Sequence, residues 1–468
     1  MLRRTLAIIS VAVIAALPVR AETLSDAFVQ AYRSSPLLDQ QRYLLRATDE
    51  DVAIAVAALR PAINFAASYG KVTGFNDFSG QSTNTTASLG LVLDYTLFDG
   101  GQRHLRVSAA KEAVLGARFS LIQAEQGVLL DAVTAYLNLR LALRIVDVRE
   151  SNVRLITQQL RAADDRFEVG EVTRTDVAIA QSRLASARSA LAAARGQVDI
   201  AREQYRLAIG VLPTGTLANP PQPPALPPTV ERAQQLALQV HPLISAGQHE
   251  VVSASLLANA RAADRLPQVA LEGQLGRSRN NNLPIGGRRS DSASIELTGR
   301  IPIYTGGRLP ALQRQATAVA QAARSDLGQT SRTIVDGVGR AWAGLEVARA
   351  QIVATRQGVR SAQLAFEGFR EEAQLGARTT LDVLDAEQEL LDARTDQLQA
   401  ESDAQLAVYN VLAAIGLLTT EHLGLSVERY DPSVYYNLAS NAPQVTGVGQ
   451  PTERGGRLDR VLRRFGRN

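Results

Sequence analysis

Residues 87–104 read ASLGLVLDYTLFDGGQRH, and residues 293–310 read ASIELTGRIPIYTGGRLP. In the first stretch Leu89, Leu91, Leu93, Tyr95 and Leu97 alternate with Ser88, Gly90, Asp94 and Thr96. In the second, Ile295, Leu297, Ile301 and Ile303 alternate with Ser294, Glu296, Thr298 and Arg300. A period of two predicts a strand with one apolar and one polar face. Both stretches end at a double glycine, and the alternation then stops. Residues 102–166 and 308–372 carry no proline except Pro310, near a helix start where it is tolerated. Some 65 helical residues would reach on the order of 100 Å. A helix of that length cannot fold back into its own small domain, so it must project and pack beside others. The alanine-rich run AQSRLASARSALAAAR (180–195) suits close helix contact.

The two stretches belong to one unit written twice. An offset of 206 residues brings Pro36 onto Pro242, Pro61 onto Pro267, Gly70 onto Gly276 and Gly100-Gly101 onto Gly306-Gly307. The same offset aligns Tyr136 with Trp342, Gly170 with Gly376, Asp176 with Asp382, and Ile209-Gly210 with Ile415-Gly416. A constant offset without gaps predicts two equivalent halves, residues 22–212 and 230–418. Between them the proline-rich stretch 213–229 predicts an extended linker. In the first half we expect strands about 62–73 and 86–98, a long helix about 102–166 and a helix about 175–210. The second half gives strands about 268–279 and 292–304, a long helix about 308–372 and a helix about 381–416. The strand pairs are joined by polar loops, FNDFSGQSTNT (75–85) and SRNNNLPIGGRRS (278–290). Residues 419–468 form a C-terminal segment whose end lacks a core pattern.

Composition narrows the classes. The chain has 468 residues and no cysteine, so disulfides, thiolate metal sites and a lipid-bearing cysteine are excluded. Residues 1–21, MLRRTLAIISVAVIAALPVRA, read as a secretory signal peptide: a basic start, a short apolar core and a small-residue cleavage pattern. No later stretch is apolar over roughly 18 residues, so no transmembrane helix is expected; a β-barrel remains open. The formal charge of +4 is carried by the two ends, with six arginines between 454 and 467, and is no sign of nucleic-acid binding. No nucleophile–base pairing, metal cluster or phosphate loop stands out, so neither an enzyme nor a cofactor is implied.

Four strands cannot close a barrel, and an open edge in lipid leaves backbone groups unpaired at several kcal/mol each. Three copies would supply twelve strands, an even antiparallel count. Together the leader, the duplicated helix–strand–strand–long-helix unit, the strand exits LFDGGQRH (97–104) and IYTGGRLP (303–310), and the turns RFEVGEVTRTDV (166–177) and LGARTTLDVLDA (375–386) carry a resemblance. Over about residues 22–430 the chain resembles the TolC family of outer-membrane efflux and secretion channels, in its non-lipidated branch. The resemblance implies a mainly α protein with a membrane β-barrel: a homotrimer whose twelve-stranded barrel joins a long periplasmic α-helical barrel. It also implies docking to a periplasmic adaptor and an inner-membrane transporter in a tripartite efflux or type I secretion system. The competing reading is a periplasmic coiled-coil adaptor of an export system, which would need one hairpin rather than two equivalent units with membrane-type strands.

The two halves differ at one turn. ARTTLDVLDAEQE (377–389) matches EVTRTDVAIAQ (171–181), with Arg378 opposite Val172, Asp385 opposite Ile179 and Arg174 opposite Thr380. Asp382 and Asp385 share one helix face near an N-terminus. The resemblance implies that they form a pore constriction, a ring of carboxylates that selects cations. Crowded on an axis, such acids would titrate above an ordinary aspartate. It further implies a gate latch in which Arg378 bonds Thr175 and Asp176. A tyrosine that aids this latch in the family aligns with Ala373, leaving Arg174 as a second candidate base. Adaptor docking is expected at the tips, on Gly170, Glu171, Val172 and Thr173 and on Gly376, Ala377, Arg378 and Thr379.

Overall fold

A computed structural model describes residues 21–440 except Ser79, Thr214, Pro284 and Ile285. The leader expected at 1–21 and the basic end of the C-terminal segment therefore lie outside the described residues, apart from Ala21. The first half runs α1 (Leu24–Ser34), α2 (Pro36–Ala57), β1 (Ala62–Asn76), β2 (Gly80–Phe98), α3 (Gln102–Glu168) and α4 (Arg174–Ile209). The second runs α5 (Val230–Val240), α6 (Pro242–Ala263), β3 (Gln268–Leu283), β4 (Gly286–Arg300), α7 (Arg308–Gln374) and α8 (Thr380–Ile415), followed by α9 (Pro432–Ser440). The four helices of each half have 11, 22, 67 and 36 residues in the same order.

Local chemistry sets these boundaries. Thr23 caps α1 in a capping box with Asp26, and Ser35 caps α2 ahead of Pro36 at its first turn. Gly101 and Gly307 turn each strand exit into a long helix with φ of +84° and +82°, a left-handed conformation that a side chain would strain. At 67 residues each, α3 and α7 extend about 100 Å. No helix among the described residues is long and apolar enough to cross a membrane.

The strands form one antiparallel sheet in the order β1-β2-β3-β4. The middle pairing, β2 with β3, joins the two halves. There Gly90 faces Gly276, and a Cβ on Gly90 would sit 2.7 Å from the Leu275 carbonyl oxygen, so β2 needs glycine at this approach. The strands run further toward their turns than expected, β1 to Asn76, β2 from Gly80, β3 to Leu283 and β4 from Gly286, so most of the loops expected at 75–85 and 278–290 are strand; at its other end β4 stops at Arg300, short of the strand expected to 304. Pro302 has no N–H to continue a ladder, so Ile301–Tyr304 alternate without pairing.

Register puts Ile63, Leu93, Phe65, Leu91, Leu275, Ile295 and Leu297 on one face. Ile63 and Phe65 are each 69% exposed and Ile295 is 83% exposed, so among the described residues nothing covers this apolar face. The opposite face aligns Asp94, Glu272 and Glu296 in one cross-strand row. Within the chain the sheet is open, with β1 and β4 at its edges.

The core lies instead where the helices meet, midway along α3. Tyr136, Leu129, Leu137 and Leu139 of α3 pack with Phe28, Tyr205, Ile209, Tyr409 and Leu412. Tyr136 donates its hydroxyl to the carbonyls of Glu22 and Ala218, at 3.0 and 2.8 Å, and ties the linker to this core. Trp342, its counterpart in α7, is only half-buried beside Ile334, Val338 and Leu345.

Candidate functional site

The four long helices come together in pairs at the end opposite the strands. α3 turns into α4 at Gly170 (φ +79°), where the Glu171 N–H donates to the Arg166 carbonyl at 2.9 Å. α7 turns into α8 at Gly376 (φ +78°), where the Ala377 N–H donates to Glu372 at 2.9 Å. These are left-handed C-terminal stops that satisfy the last helical carbonyls. The next helix begins each time with a threonine cap. Thr173 and Thr379 accept the N–H of Asp176 and Asp382, and those carboxylates take back the threonine N–H at 2.9 and 3.0 Å.

The capping assigns Asp176 and Asp382 a local task. The Thr379 backbone N–H and hydroxyl hold the Asp382 carboxyl below the usual carboxylate range, and Thr173 does the same to Asp176. In the single chain this is opposite to the upward displacement expected of an acid ring, because capping bonds favour the ionised form.

Arg378, assigned to Thr175 and Asp176 as a latch, points elsewhere within the chain. Its Nε donates to Glu372 Oε2 at 2.8 Å, and its guanidinium lies 4.5 Å from the Phe369 ring centre. Arg174 and Thr175 are exposed, and among the described residues neither has a side-chain partner. Ala373, at the family's tyrosine position, packs against an apolar seam of Phe366, Val383 and Ala386.

The structure joins the hairpins by pairing Asp385 and Glu387 of the second turn stretch with α3 and α4 residues that no turn motif includes. Arg183 of α4 forms an ion pair with Asp385 of α8. Asn152 of α3 donates from Nδ2 to Glu387 Oε1 at 3.0 Å, and Arg144 of α3 reaches Glu401 of α8 at 3.2 Å. Glu387 is 3% exposed, and its other oxygen has no partner. It borders a cavity of about 160 Å³ shared with Arg149 and Asn152 of α3, Arg183 and Ser186 of α4, and Gln388 of α8. Burial pushes the Glu387 carboxyl up to about 7, against the smaller downward pull of the Asn152 bond. A sequence signal for Glu387 does exist. It falls four residues after Val383 and three before Leu390, inside the stripe that faces the core.

This geometry is an open sheet with an uncovered apolar face, joined to helices α3 and α7 about 100 Å long, each paired at its far tip with a helix whose first turn carries a capping aspartate. The profile of the family described as outer membrane efflux protein matches residues 27–211 and again residues 233–417. The chain belongs to the outer membrane efflux protein family.

Outer membrane efflux protein BepC of Brucella suis biovar 1 (strain 1330) is 37% identical over 420 residues, 89% of this chain and 90% of the relative. Outer membrane protein TolC of Escherichia coli (strain K12) is 26% identical, over 91% of this chain and 88% of that one. Among solved structures, the outer-membrane channel CmeC of Campylobacter jejuni shares the fold with a TM-score of 0.73 at 18% identity, covering 91% and 90% of the two chains. The open state of the MtrE outer membrane channel of Neisseria gonorrhoeae aligns with a TM-score of 0.65 at 20% identity, over 85% and 90%. Membership places this efflux protein in the outer membrane and sets aside the periplasmic adaptor reading.

Proposed function

We propose that this outer membrane efflux protein is the exit duct of a tripartite efflux or type I secretion system. Three copies join their open sheets edge to edge, β4 of one to β1 of the next, into a twelve-stranded barrel. The apolar face then meets lipid, and the face bearing Asp94, Glu272 and Glu296 lines water. The α3–α4 and α7–α8 hairpins continue the wall as a helical barrel in the periplasm. Drugs or secreted proteins pass from an inner-membrane transporter, through an adaptor that contacts the tips at Gly170–Thr173 and Gly376–Thr379. The observation that carries this reading is the exposed apolar sheet with two unpaired edges, which is untenable for one chain in either water or lipid.

At the tips, Asp382 and Asp385 form the cation-selective constriction and Arg378 the latch. The latch requires Arg378 to leave Glu372 for Thr175 and Asp176, with Arg174 as the other base within reach of that turn. The Arg183–Asp385 pair supports a gate in which α8 is held against α4. In planar bilayers the purified protein should give discrete cation-selective conductance steps, and a strain lacking it should retain its cargo. Absence of conductance from trimeric, membrane-inserted protein would contradict the duct.

A further inference from the structure

The barrel reading gives the outer sheet face a boundary whose chemistry it does not explain. On that face the row Leu91, Leu275, Ala293 is apolar. One row nearer the strand turns stand Leu89, Arg277 and Asp291, with Arg277 paired to Asp291 at 2.6 and 2.9 Å. One row further stand Ala87, Arg279 and Arg289. Arg279 and Arg289 are direct cross-strand partners, both exposed, and among the described residues neither has an anionic partner. Directly opposed residues have Cβ atoms about 5 Å apart, and like charges there destabilise a sheet. The strand turns lie at the end of the sheet away from α3 and α7, so this row sits at the outer rim, just above the apolar band.

We propose that Arg279 and Arg289 form a docking site for the phosphate groups of an anionic glycolipid in the outer leaflet, an inference that rests on the barrel reading above. Two guanidinium groups side by side present parallel N–H donors that match phosphate oxygens, and one bound phosphate removes their mutual repulsion. The Arg277–Asp291 pair closes the site below, so the next unpaired positive charge seen by an approaching lipid is this row. In the first hairpin the row continues through Ala87 to Tyr69, and so the site lies on the β3–β4 hairpin alone.

The test uses lipid-free trimer in detergent, followed by thermal unfolding and native mass. It is titrated with diphosphorylated lipid A, with the same lipid stripped of phosphate, and with inorganic phosphate. The diphosphorylated lipid should raise the melting temperature and add its mass, whereas the stripped lipid should do neither. Arg279→Ala combined with Arg289→Ala should weaken that binding by roughly tenfold or more, while Ser278→Ala, on the other face, leaves it intact. Arg289→Glu separates folding from binding: it converts the opposed pair into an ion pair, so the lipid-free trimer should melt higher while the lipid response is lost. Equal lipid binding by wild type and the double variant, or an equal response to inorganic phosphate, overturns the site and leaves the channel reading standing. A wild-type chain that forms no outer-membrane trimer removes the barrel reading and this site together.

Discussion

Arg103 and Asp99 form a largely buried ion pair, 2.6 Å apart, at the junction between β2 and α3. The arginine also donates to the carbonyls of Ala58 at 2.8 Å and Thr96 at 2.6 Å, while Asp99 accepts the N–H groups of Gly101 and Arg103 at 3.1 Å. One side chain thus joins the end of α2, the last turn of β2 and the start of α3. The second half has Thr305 and Leu309 at these positions and no such pair. Because removal of one partner strands the other charge, Arg103→Ala should destabilise the fold by about 3 kcal/mol. Thermal and denaturant unfolding of the purified protein measure this, and an unchanged midpoint would show that the junction does not depend on the pair.

Arg378→Ser tests the gate. The substitution removes the hydrogen bond to Glu372 and the contact with Phe369. In a closed trimer it also removes the proposed latch to Thr175 and Asp176. Single-channel conductance in planar bilayers should rise, because the α7–α8 tip is less restrained. Conductance equal to wild type would count against a latch at this position.

The acids at the tip call for two substitutions each. Asp382→Ala removes a charge and also the return half of the Thr379 capping box, at about 1 kcal/mol of helix stability, whereas Asp382→Asn removes the charge and keeps a side chain that accepts the Thr379 N–H. Combined with Asp385→Asn, which also removes the ion pair with Arg183, it should weaken cation selectivity and block by polyvalent cations while the cap of α8 stays in place. Since Thr379 holds the Asp382 carboxyl below the usual range, its share of the selectivity should persist even below the ordinary aspartate pKa. That share is lost only as pH falls through the lowered value. Unaltered reversal potentials in the doubly neutralised protein would remove the ring.

What could be read in advance divides along physical lines. Alternation at Leu89–Leu97 and the runs after Gly101 and Gly307, free of proline but for Pro310 in the first turn, are local signals, and local sequence sets strands and helices of this length. Capping by Thr173 and Thr379 is equally local. Alternation continues through Ile301 and Ile303, yet the strand ends at Arg300, because the missing N–H of Pro302 decides the pairing. Arg183–Asp385 and Asn152–Glu387 span more than 200 residues of chain, and no spacing rule brings such partners together. Arg378 illustrates the converse: the sequence marks the residue, but its nearest partner, Glu372, is set by how the α7 end turns at Gly376.

Glu387 makes the seam of α8 with α3 and α4 sensitive to pH. Its carboxyl is raised from 4.5 to about 7 when packed, so packing favours the protonated form. That contribution is fully present below about pH 4.5 and is lost as pH rises through about 7. Arg149 and Arg183 border the same cavity and Asp385 lies on its own helix, while burial is the largest cause of the shift and the Asn152 bond opposes it. Conductance should therefore increase with pH across this window, while Glu387→Gln should behave at every pH like the acid form. Asn152→Asp, which sets a second carboxylate opposite, should move the transition to higher pH. A pH profile of Glu387→Gln that matches wild type would exclude this role.

The most direct measurement is the native mass of the protein extracted from outer membranes, taken alongside conductance of the same preparation. A mass three times that of the mature chain, with conductance confined to that species, is the predicted result. A single chain, inserted and watertight or conducting on its own, would contradict the shared wall.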